Sequence, residues 1–414
     1  MRKFVLLTLV LVLTLSTASF AQTPIRLWFA GTPQALMDLM YDEIVPAFEA
    51  ANPDIKLEVE FVPWSELSTK LATSFAAGVT PDIFMHGQAA IAEFVESNQL
   101  LPLDEFIADW PDKDDFGATL SSGYYKDATY FIPVFGAGRL LVYRADTFRE
   151  AGLDPDNPPT TWDELVEAAK ALTKKEGNRF IRQGIDFPQD GIDLQQVWAP
   201  FLWQAGGDFL TEDGTAAAFN SPEGVESLQF MMDFIHKHGA SDVRTAQPVG
   251  NVSPIAADLV GMIFEVPGVL AQITTYSPEV YPEIRVALPT KHVTQDTLYS
   301  FSGFMMSRNT VDKEKAWRVM AYLLSAESLE KINEAMATLP PRLSLAEADF
   351  IAEDPNLKVY VEAMQFGRGN PNHPRWVQIR DIISRYLERA MRGVMSAQEA
   401  LDEAAKEVNR LLAE

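Results

Sequence analysis

Residues that perform covalent chemistry occur in this sequence without the spacing that such chemistry requires. The chain has no cysteine, which excludes a thiol nucleophile, a thiolate metal site and disulfide bonds. Ser328 and Lys331 have the Ser-x-x-Lys spacing, and Gly136 and Gly138 begin a dinucleotide fingerprint, but the companion motifs of both are missing from the sequence. The sequence therefore indicates a protein that is not an enzyme and that uses no cofactor.

Neither the histidines nor the carboxylates mark a metal or catalytic site. His236 and His238 are two residues apart in a predicted helix, so they do not share a face as metal ligands would. A glycosidase needs two carboxylates about 5 to 10 Å apart across a sugar bond, and no spacing among the 58 acidic residues singles out such a pair. If the protein is an enzyme after all, a secreted glycosidase is the alternative that we keep. We predict no metal site.

The aromatic residues divide between core packing and possible ligand platforms. Aromatic rings cover the apolar faces of ligands, whereas planar polar side chains hold polar groups. The chain has 8 tryptophans, and 11% of its residues are aromatic. An isolated tryptophan in a helix or strand usually packs in a core, and we assign Trp28, Trp162 and Trp317 to packing.

The first hundred residues alternate between strand and helix patterns. Residues 25–30 and 83–85 have the apolar runs of buried strands, and a strand alternation near Leu57 lies between two helical stripes. Thr32 and Pro33 are predicted to cap and begin the first helix, and Gly78 to end the second. This order predicts right-handed crossovers and a largely parallel sheet.

Ligands of such sheets bind beyond the carboxyl ends of the strands. The rule points to the loops that follow the first and third predicted strands, residues 31–33 and 86–88. Thr32, His86 and Gln88 are therefore candidate ligand contacts.

Later segments carry structural signals only. Residues 129–143 read as extended chain broken by Pro133 and by glycines, which suits a strand that passes between lobes. Capping boxes at 161–164 and 396–399 and the Ser-Pro-Glu at 221–223 begin helices.

The amino-terminal residues indicate export, and the net charge bears on the class of partner. Arg2 and Lys3 precede a short apolar run, and small residues surround a cleavage position after Ala21, as in a signal peptide over residues 1–21. The formal charge of −24 becomes −26 once these two cations are removed, a balance that repels nucleic acid and anionic membranes. We predict a periplasmic protein with no lipid-anchoring cysteine and no nucleic-acid partner.

Motifs along nearly the whole predicted mature chain resemble those of the family 1 extracellular solute-binding proteins, the maltose-binding type. They occur in the family's order at 44–49 with 52–55, 70–71 with 77–83, 141–144 with 151–154 and 159–162, 204–207, 261–263 with 267–268, and 339–342. Tyr143 is followed by Arg144 where the family shows Asn-Lys, a departure in a scaffold strand.

The resemblance implies a two-lobed α/β fold of the type II periplasmic-binding-protein class, with a mostly parallel sheet in each lobe. Residues 22–132 plus 289–338 would form the amino-terminal lobe, and 133–288 plus 339–414 the carboxyl-terminal lobe. The lobes would be joined by crossings near 132–136, 288–289 and 339, and would close as a monomer on a carbohydrate, which is then delivered to the transmembrane subunits of an ABC permease.

The family pattern also implies where cleft contacts lie. Gly268 lacks the aromatic residue that maltose binders carry there, which argues against maltose. The candidates that the pattern adds are Trp64, Gln196, Trp198, Glu265, Gly303, Phe304, His373, Arg375, Trp376 and Arg380.

Arg380 raises a second ligand hypothesis. It lies in Gln378-Ile379-Arg380, which is similar to a tripeptide of glycerol-phosphate-binding relatives, and a guanidinium suits phosphate. The other reading is an arginine on a solvated helix face. Because the cleft loops show no second cluster of cations, a neutral sugar or short oligosaccharide is the main prediction and a phosphorylated polyol the alternative.

Overall fold

Two β-sheets with flanking helices organise residues 22–414, the part of the chain that the computed structural model describes. The strands are β1 (Thr23–Ala30), β2 (Ile55–Val62), β3 (Ile83–Gly87), β4 (Tyr124–Tyr125), β5 (Ala128–Thr129), β6 (Ile132–Gly138), β7 (Leu140–Arg144), β8 (Lys174–Glu176), β9 (Arg179–Arg182), β10 (Met262–Glu265), β11 (Ile284–Ala287), β12 (Thr297–Met306) and β13 (Gly367–Arg368). The predicted signal peptide lies outside the described residues.

The helices precede, connect and follow these strands. They are α1 (Gln34–Leu39), α2 (Val45–Ala51), α3 (Trp64–Ala77), α4 (Ile91–Glu96), α5 (Asp104–Ala108), α6 (Ala145–Glu150), α7 (Trp162–Leu172), α8 (Gly191–Gln204), α9 (Pro222–His236), α10 (Gly268–Tyr276), α11 (Lys313–Leu323), α12 (Ala326–Met336), α13 (Asp349–Ala352), α14 (Pro355–Ala363), α15 (Trp376–Met391) and α16 (Ala397–Leu412). Within residues 22–414, no helix has the length and apolar character needed to cross a membrane.

The first sheet has the strand order β13-β12-β3-β1-β2, with β6 paired to β12. β1 is parallel to both β2 and β3, which confirms the strand-helix-strand-helix-strand unit predicted from sequence. β12 runs antiparallel to β3 and β6 and so joins the amino-terminal strands to a much later part of the chain. We call this sheet and the helices packed on it the first lobe.

The second sheet has the order β10-β7-β11, and both of its pairings are antiparallel. The prediction of a mostly parallel sheet in each lobe is therefore wrong in strand direction for the second lobe. The physical reason is that β10 and β11 run back along β7 instead of being joined to it by a crossover in the same direction. Two isolated parallel bridges extend the sheet beside β10: Gln183 pairs with Val260, and Asp186 pairs with Ile263.

The chain passes between the two sheets more than once. β6 pairs in the first sheet up to Gly138, and β7 pairs in the second from Leu140, so the first passage is at Arg139. A second crossing connects β11 to β12, and Leu339 bridges Gly136 through two backbone hydrogen bonds of 2.8 and 3.2 Å. The lobe boundaries at 132, 288 and 338 stay a prediction.

Separate hydrophobic cores support the two sheets. One contains Phe29, Phe84 and Phe304, and the others surround Trp198 and Tyr360. The packing role predicted for three tryptophans is confirmed, since Trp162 is buried and Trp28 and Trp317 pack against a core half-buried.

Helix ends follow the local sequence with one exception. The capping boxes at Thr161 and Ser396 form as predicted, and Gly78 ends α3 in a left-handed conformation. Thr32 does not cap α1, which begins one residue later than predicted, after Pro33. The ψ of 127° at Pro33 is extended, so the helix cannot include it.

Candidate functional site

The first-lobe wall of the site is built on Trp64 and His86. Trp64 begins α3 and is 40% exposed, whereas His86 ends the buried part of β3. Their rings are 6.3 Å apart and nearly perpendicular. Gly31, at φ +89°, brings the backbone close to the indole, because a Cβ there would lie 3.1 Å from Trp64 Nε1. The fold thus holds an aromatic ring beyond the carboxyl ends of β1 and β3.

His86 is held as a neutral ring. The backbone amide of Gly87 donates to His86 Nδ1 at 2.9 Å, which leaves Nε2 to carry the proton, 3.4 Å from Ser68 Oγ. Burial, reinforced by the positive charge of Arg380, lowers the pKa of His86 to about 4. At neutral pH this ring is a hydrogen-bonding and packing group without charge.

Arg380 brings the second lobe to this wall. It lies in the second turn of α15, and α15 packs against the 3-10 turn Gln88–Ala90. Its Nε and Nη2 contact Asp381 Oδ1 at 3.0 and 2.8 Å, and its side chain is only 11% exposed. The interpretation of Arg380 as part of a solvated helix face is therefore wrong.

The second-lobe wall is organised around Arg139 at the first crossing. Its side chain is 5% exposed. Nη2 donates to Asp193 Oδ1 at 2.6 Å and to Gln196 Oε1 at 2.8 Å, and Nη1 donates to the carbonyl of Phe264 at 3.2 Å. Glu265 Oε2 lies 4.0 Å from Nη1. Arg139 therefore fixes the start of α8 relative to the end of β10.

A cavity of about 750 Å³ opens beside this arginine. It is lined by Arg139, Pro188, Gln189, Asp190, Asp193, Val243, Arg244, Thr245, Gln247, Glu265 and Arg392. Its volume is within the range of small-molecule sites, and most of its lining groups are planar carboxylates, amides or guanidinium groups.

Buried side chains behind the cavity hold one of its walls, the loop 241–247. Gln183 Oε1 accepts from the amide of Asp242 at 2.7 Å, Asp186 Oδ2 from that of Ala246 at 3.2 Å, and Thr245 Oγ1 from that of Gln189 at 3.0 Å. Burial raises the pKa of Asp186 to about 8, with Glu265 adding a smaller effect in the same direction. The loop is thus fixed in part by a buried carboxyl group that keeps its proton to a higher pH than usual.

Glu265 combines solvent access with a shifted titration. Its side chain is 38% exposed, and desolvation raises its pKa while the charge of Arg139 opposes the rise. Tyr360 is fully buried, and its hydroxyl donates to the backbone carbonyl of Glu265 at 2.8 Å. A carboxylate in this setting is placed to accept hydrogen bonds from a solute.

The structure groups five of the predicted contacts at these two walls. Trp64, His86 and Arg380 lie together at the first, and Gln196 and Glu265 surround Arg139 at the second.

Two nearby candidates have structural roles. Gln88 Oε1 accepts from the amide of Phe301 at 3.1 Å and links β3 to β12. Gly303 allows close strand packing, because a Cβ there would lie 2.2 Å from the carbonyl oxygen of Ile132. Thr32 is exposed in the loop before α1.

Three of the remaining predicted contacts are corrected by their burial. Trp198, Phe304 and Trp376 are buried in hydrophobic cores, and Trp198 Nε1 donates to Ser227 Oγ at 2.9 Å. His373 Nδ1 accepts from the amide of Arg375 within its own turn. Arg375 faces Glu414 at the carboxyl terminus, 3.8 Å away. Trp198, Phe304 and Trp376 therefore pack in cores, whereas cleft contact by His373 and Arg375 stays a prediction.

Sequence reasoning missed Arg139, Gln189, Asp190 and Asp193. A signal for Arg139 existed, because it follows the Gly136-x-Gly138 interruption that was interpreted as a joint between lobes. Asp190 and Asp193 flank the start of α8, which the sequence did not mark with a capping pattern. Among the described residues no group of three or more His, Asp or Glu side chains could hold a metal ion.

Comparison with known proteins gives three kinds of match. The family described as bacterial extracellular solute-binding protein matches residues 31–330. The structure of an ABC transporter solute-binding protein from Thermotoga lettingae TMO, bound with alpha-D-tagatose, superposes with a TM-score of 0.86 at 27% identity, covering 94% of this chain and 100% of that one.

Two relatives match over most of their length. A protein of Brucella abortus (strain 2308) that is named as a binding protein is 27% identical over 382 residues, 90% of this chain and 89% of the relative. The sn-glycerol-3-phosphate-binding periplasmic protein of Escherichia coli O6:K15:H31 (strain 536 / UPEC) is 26% identical over 436 residues, 98% of this chain and 96% of the relative.

Proposed function

Since this chain belongs to the bacterial extracellular solute-binding protein family, we propose that it is the capture component of an ABC importer for a neutral sugar or short oligosaccharide. The observation that carries this proposal is the chemistry of two groups of side chains. The exposed Trp64 ring lies in one lobe, and a cavity of carboxylates, amides and guanidinium groups lies in the other. This combination matches the apolar face and hydroxyl rim of a sugar.

The charge state of the cavity favours an uncharged solute. Each lining arginine already has an acidic partner: Arg139 contacts Asp193 at 2.6 Å, Arg244 contacts Asp242 at 3.6 Å, and Arg392 contacts Glu388 at 2.8 Å. A phosphate would have to compete with these carboxylates for a guanidinium. Hydroxyls can instead bind to the free lone pairs of the carboxylates.

Capture would work by closure of the two lobes about the crossings. A solute that contacts both Trp64 and the Arg139 wall favours the closed form by its differential affinity for the two forms. The closed monomer would then dock on the transmembrane permease subunits. Export through the signal peptide at residues 1–21 would place it in the periplasm.

The second candidate ligand is glycerol phosphate or a related phosphorylated polyol. It is favoured by one observation, the nearly buried guanidinium of Arg380 at the junction of the lobes. The match to the E. coli protein whose name includes sn-glycerol 3-phosphate is consistent with it.

A thermal-shift panel with the chain 22–414 tests the proposal. The panel holds D-tagatose, pentose and hexose oligosaccharides, and sn-glycerol 3-phosphate. A solute at 100 times its Kd stabilises the folded chain by about 2.7 kcal/mol, and we expect this shift with a neutral sugar. Calorimetry should then show weaker binding for Glu265→Gln, and no change for the exposed Glu212→Gln.

Three outcomes would contradict the proposal. A shift with sn-glycerol 3-phosphate alone would support the second candidate. No shift with any neutral sugar would remove the main one. Accumulation of shorter saccharides on overnight incubation, followed by chromatography, would show a glycosidase.

A further inference from the structure

Arg139 is a residue that contacts both lobes. Its backbone continues the first sheet, because its amide donates to the carbonyl of Leu298 at 3.0 Å and its carbonyl accepts from Thr297 Oγ1 at 2.6 Å. Its side chain lies in the second lobe, where it donates to Asp193 and Gln196 of α8. Since Thr297 and Leu298 begin β12, at the end of the second crossing, both crossings meet at Arg139.

The carboxylates of the cavity are open to solvent, although the arginine that holds them is buried. The side chain of Asp193 is 65% exposed and that of Glu265 is 38% exposed, whereas that of Arg139 is 5% exposed. Arg139 Nη2 holds Asp193 Oδ1 at 2.6 Å, and Nη1 lies 4.0 Å from Glu265 Oε2. A solute in the cavity therefore meets carboxylates whose directions are set by a guanidinium that is itself largely covered.

The far end of α8 is tied to the second crossing. The amide of Val293 donates to the carbonyl of Gln204 at 2.8 Å, and Gln204 Nε2 donates to the carbonyl of Asp296 at 2.8 Å. α8 is a continuous helix of 14 residues, and rigid elements of this kind carry a displacement from one end to the other. A shift of Asp193, near the start of α8, is thus passed to both crossings.

Arg144, at the other end of β7, has similar partners in a different place. Its Nη2 donates to Asp146 Oδ2 at 2.6 Å, and its Nη1 donates to the carbonyl of Ala256 at 3.0 Å. Its backbone pairs with Ile284 of the second sheet, and it does not belong to the cavity lining. The distinguishing feature of Arg139 is therefore its position and not the kind of contacts that it makes.

We propose that Arg139 is a positioning residue for solute capture, which connects the exposed carboxylates of the cavity to the two crossings between the lobes. A solute that binds Asp193 and Glu265 stabilises the orientation of Arg139 and α8 that belongs to the closed form. A ligand shifts such an equilibrium only by its differential affinity for the two forms, and Arg139 provides this difference. The inference rests on the proposed function and adds the residue through which binding acts on the lobes.

The experiment compares the wild-type chain 22–414 with Arg139→Met, which keeps an apolar stem and removes the guanidinium. The probe is D-tagatose or, if it gives no thermal shift, the neutral oligosaccharide of the panel with the largest shift. Calorimetry measures Kd, and small-angle X-ray scattering measures the radius of gyration without sugar and at saturation. We expect Kd to weaken about tenfold, because a charged contact is no longer positioned. The decrease in radius of gyration that saturating sugar causes in the wild type should largely disappear.

Arg144→Met is the matched control, since it removes a guanidinium with similar partners from the other end of β7. It should lose stability in urea denaturation but keep the wild-type Kd and the full decrease in radius of gyration. Arg139→Lys serves if the methionine variant does not fold. Because an ammonium lacks the planar fork that holds Asp193 and the carbonyl of Phe264 together, this variant should close only in part.

Three outcomes would overturn the inference. They are wild-type Kd and closure in both Arg139 variants, an equal loss of closure in Arg144→Met, and sugar binding by the wild type without a decrease in radius of gyration. Absence of binding of every neutral sugar by the wild type would instead refute the proposed function.

Discussion

Truncation of Trp64 tests whether the exposed indole is a sugar platform. A tryptophan has about 250 Å² of surface, so the 40% exposure of Trp64 leaves about 100 Å² accessible. A sugar ring covers about half of that area, and apolar burial is worth about 25 cal/mol per Å². Trp64→Ala should therefore lose about 1.3 kcal/mol of binding free energy, close to tenfold in Kd.

The measurement is calorimetric titration with the neutral sugar that gives the largest thermal shift in the wild-type panel. Trp64→Phe should recover part of the loss, because it keeps an aromatic face. Tyr124→Ala truncates a more exposed aromatic residue in β4 and should leave Kd unchanged. A Kd for Trp64→Ala within twofold of the wild type would refute the platform, since it would show that the solute does not cover this ring.

Three further perturbations test the scaffold of the site. Gly136→Ala should lower the free energy of unfolding by about 1 to 3 kcal/mol in urea denaturation, because its Cβ would lie 2.2 Å from Tyr299 Oη. Gly87→Ala is the control, since a Cβ there would meet open space. Equal stabilities of the two variants would contradict the clash. Asp193→Asn should lower the free energy of unfolding by about 1 kcal/mol, because it weakens a charge-assisted hydrogen bond to Arg139. The exposed Asp190→Asn is the control and should leave stability unchanged, and an equal loss in both variants would contradict this role. The pKa of Asp186 is raised to about 8 from 3.8, so the folded state binds more protons than the unfolded state between these values. The free energy of unfolding should therefore fall by about 1 kcal/mol per pH unit as pH rises through this window. Asp186→Asn, measured by urea denaturation from pH 5 to 8, should lose this slope, and a slope equal to that of the wild type would contradict the assignment.

Local signals predicted the first lobe well. Apolar runs, capping residues and Gly78 act within a few positions of the elements they define, so β1, β3 and α3 were visible in the sequence. The start of α1 was one residue off, because the backbone of Pro33 is extended.

Pairing between distant segments was less predictable. The antiparallel direction of the second sheet depends on which strands meet β7, and no local pattern specifies this. The role of Arg139 depends on its position between β6 and β7 and on the packing of α8 beside it, and both depend on tertiary structure.

One of the corrected tryptophans, Trp376, did have a recognisable sequence signal. Trp376 shares a helical stripe with Ile379, Ile383 and Leu387, all of them buried, and this spacing favours a core position. The family pattern placed the segment near the cleft, and that placement stays a prediction. It could not say which face of α15 points inward.

The position of β12 in the first sheet affects how the chain folds. Ser302 pairs with Gly87 and Phe301 with Gly136, so the middle of the first sheet is filled by a strand synthesised long after its neighbours. Until β12 emerges from the ribosome, β3 and β6 present open edges that can recruit other chains. Such long-range pairing folds slowly, and a nascent chain ending before Thr297 should depend on a chaperone to avoid aggregation.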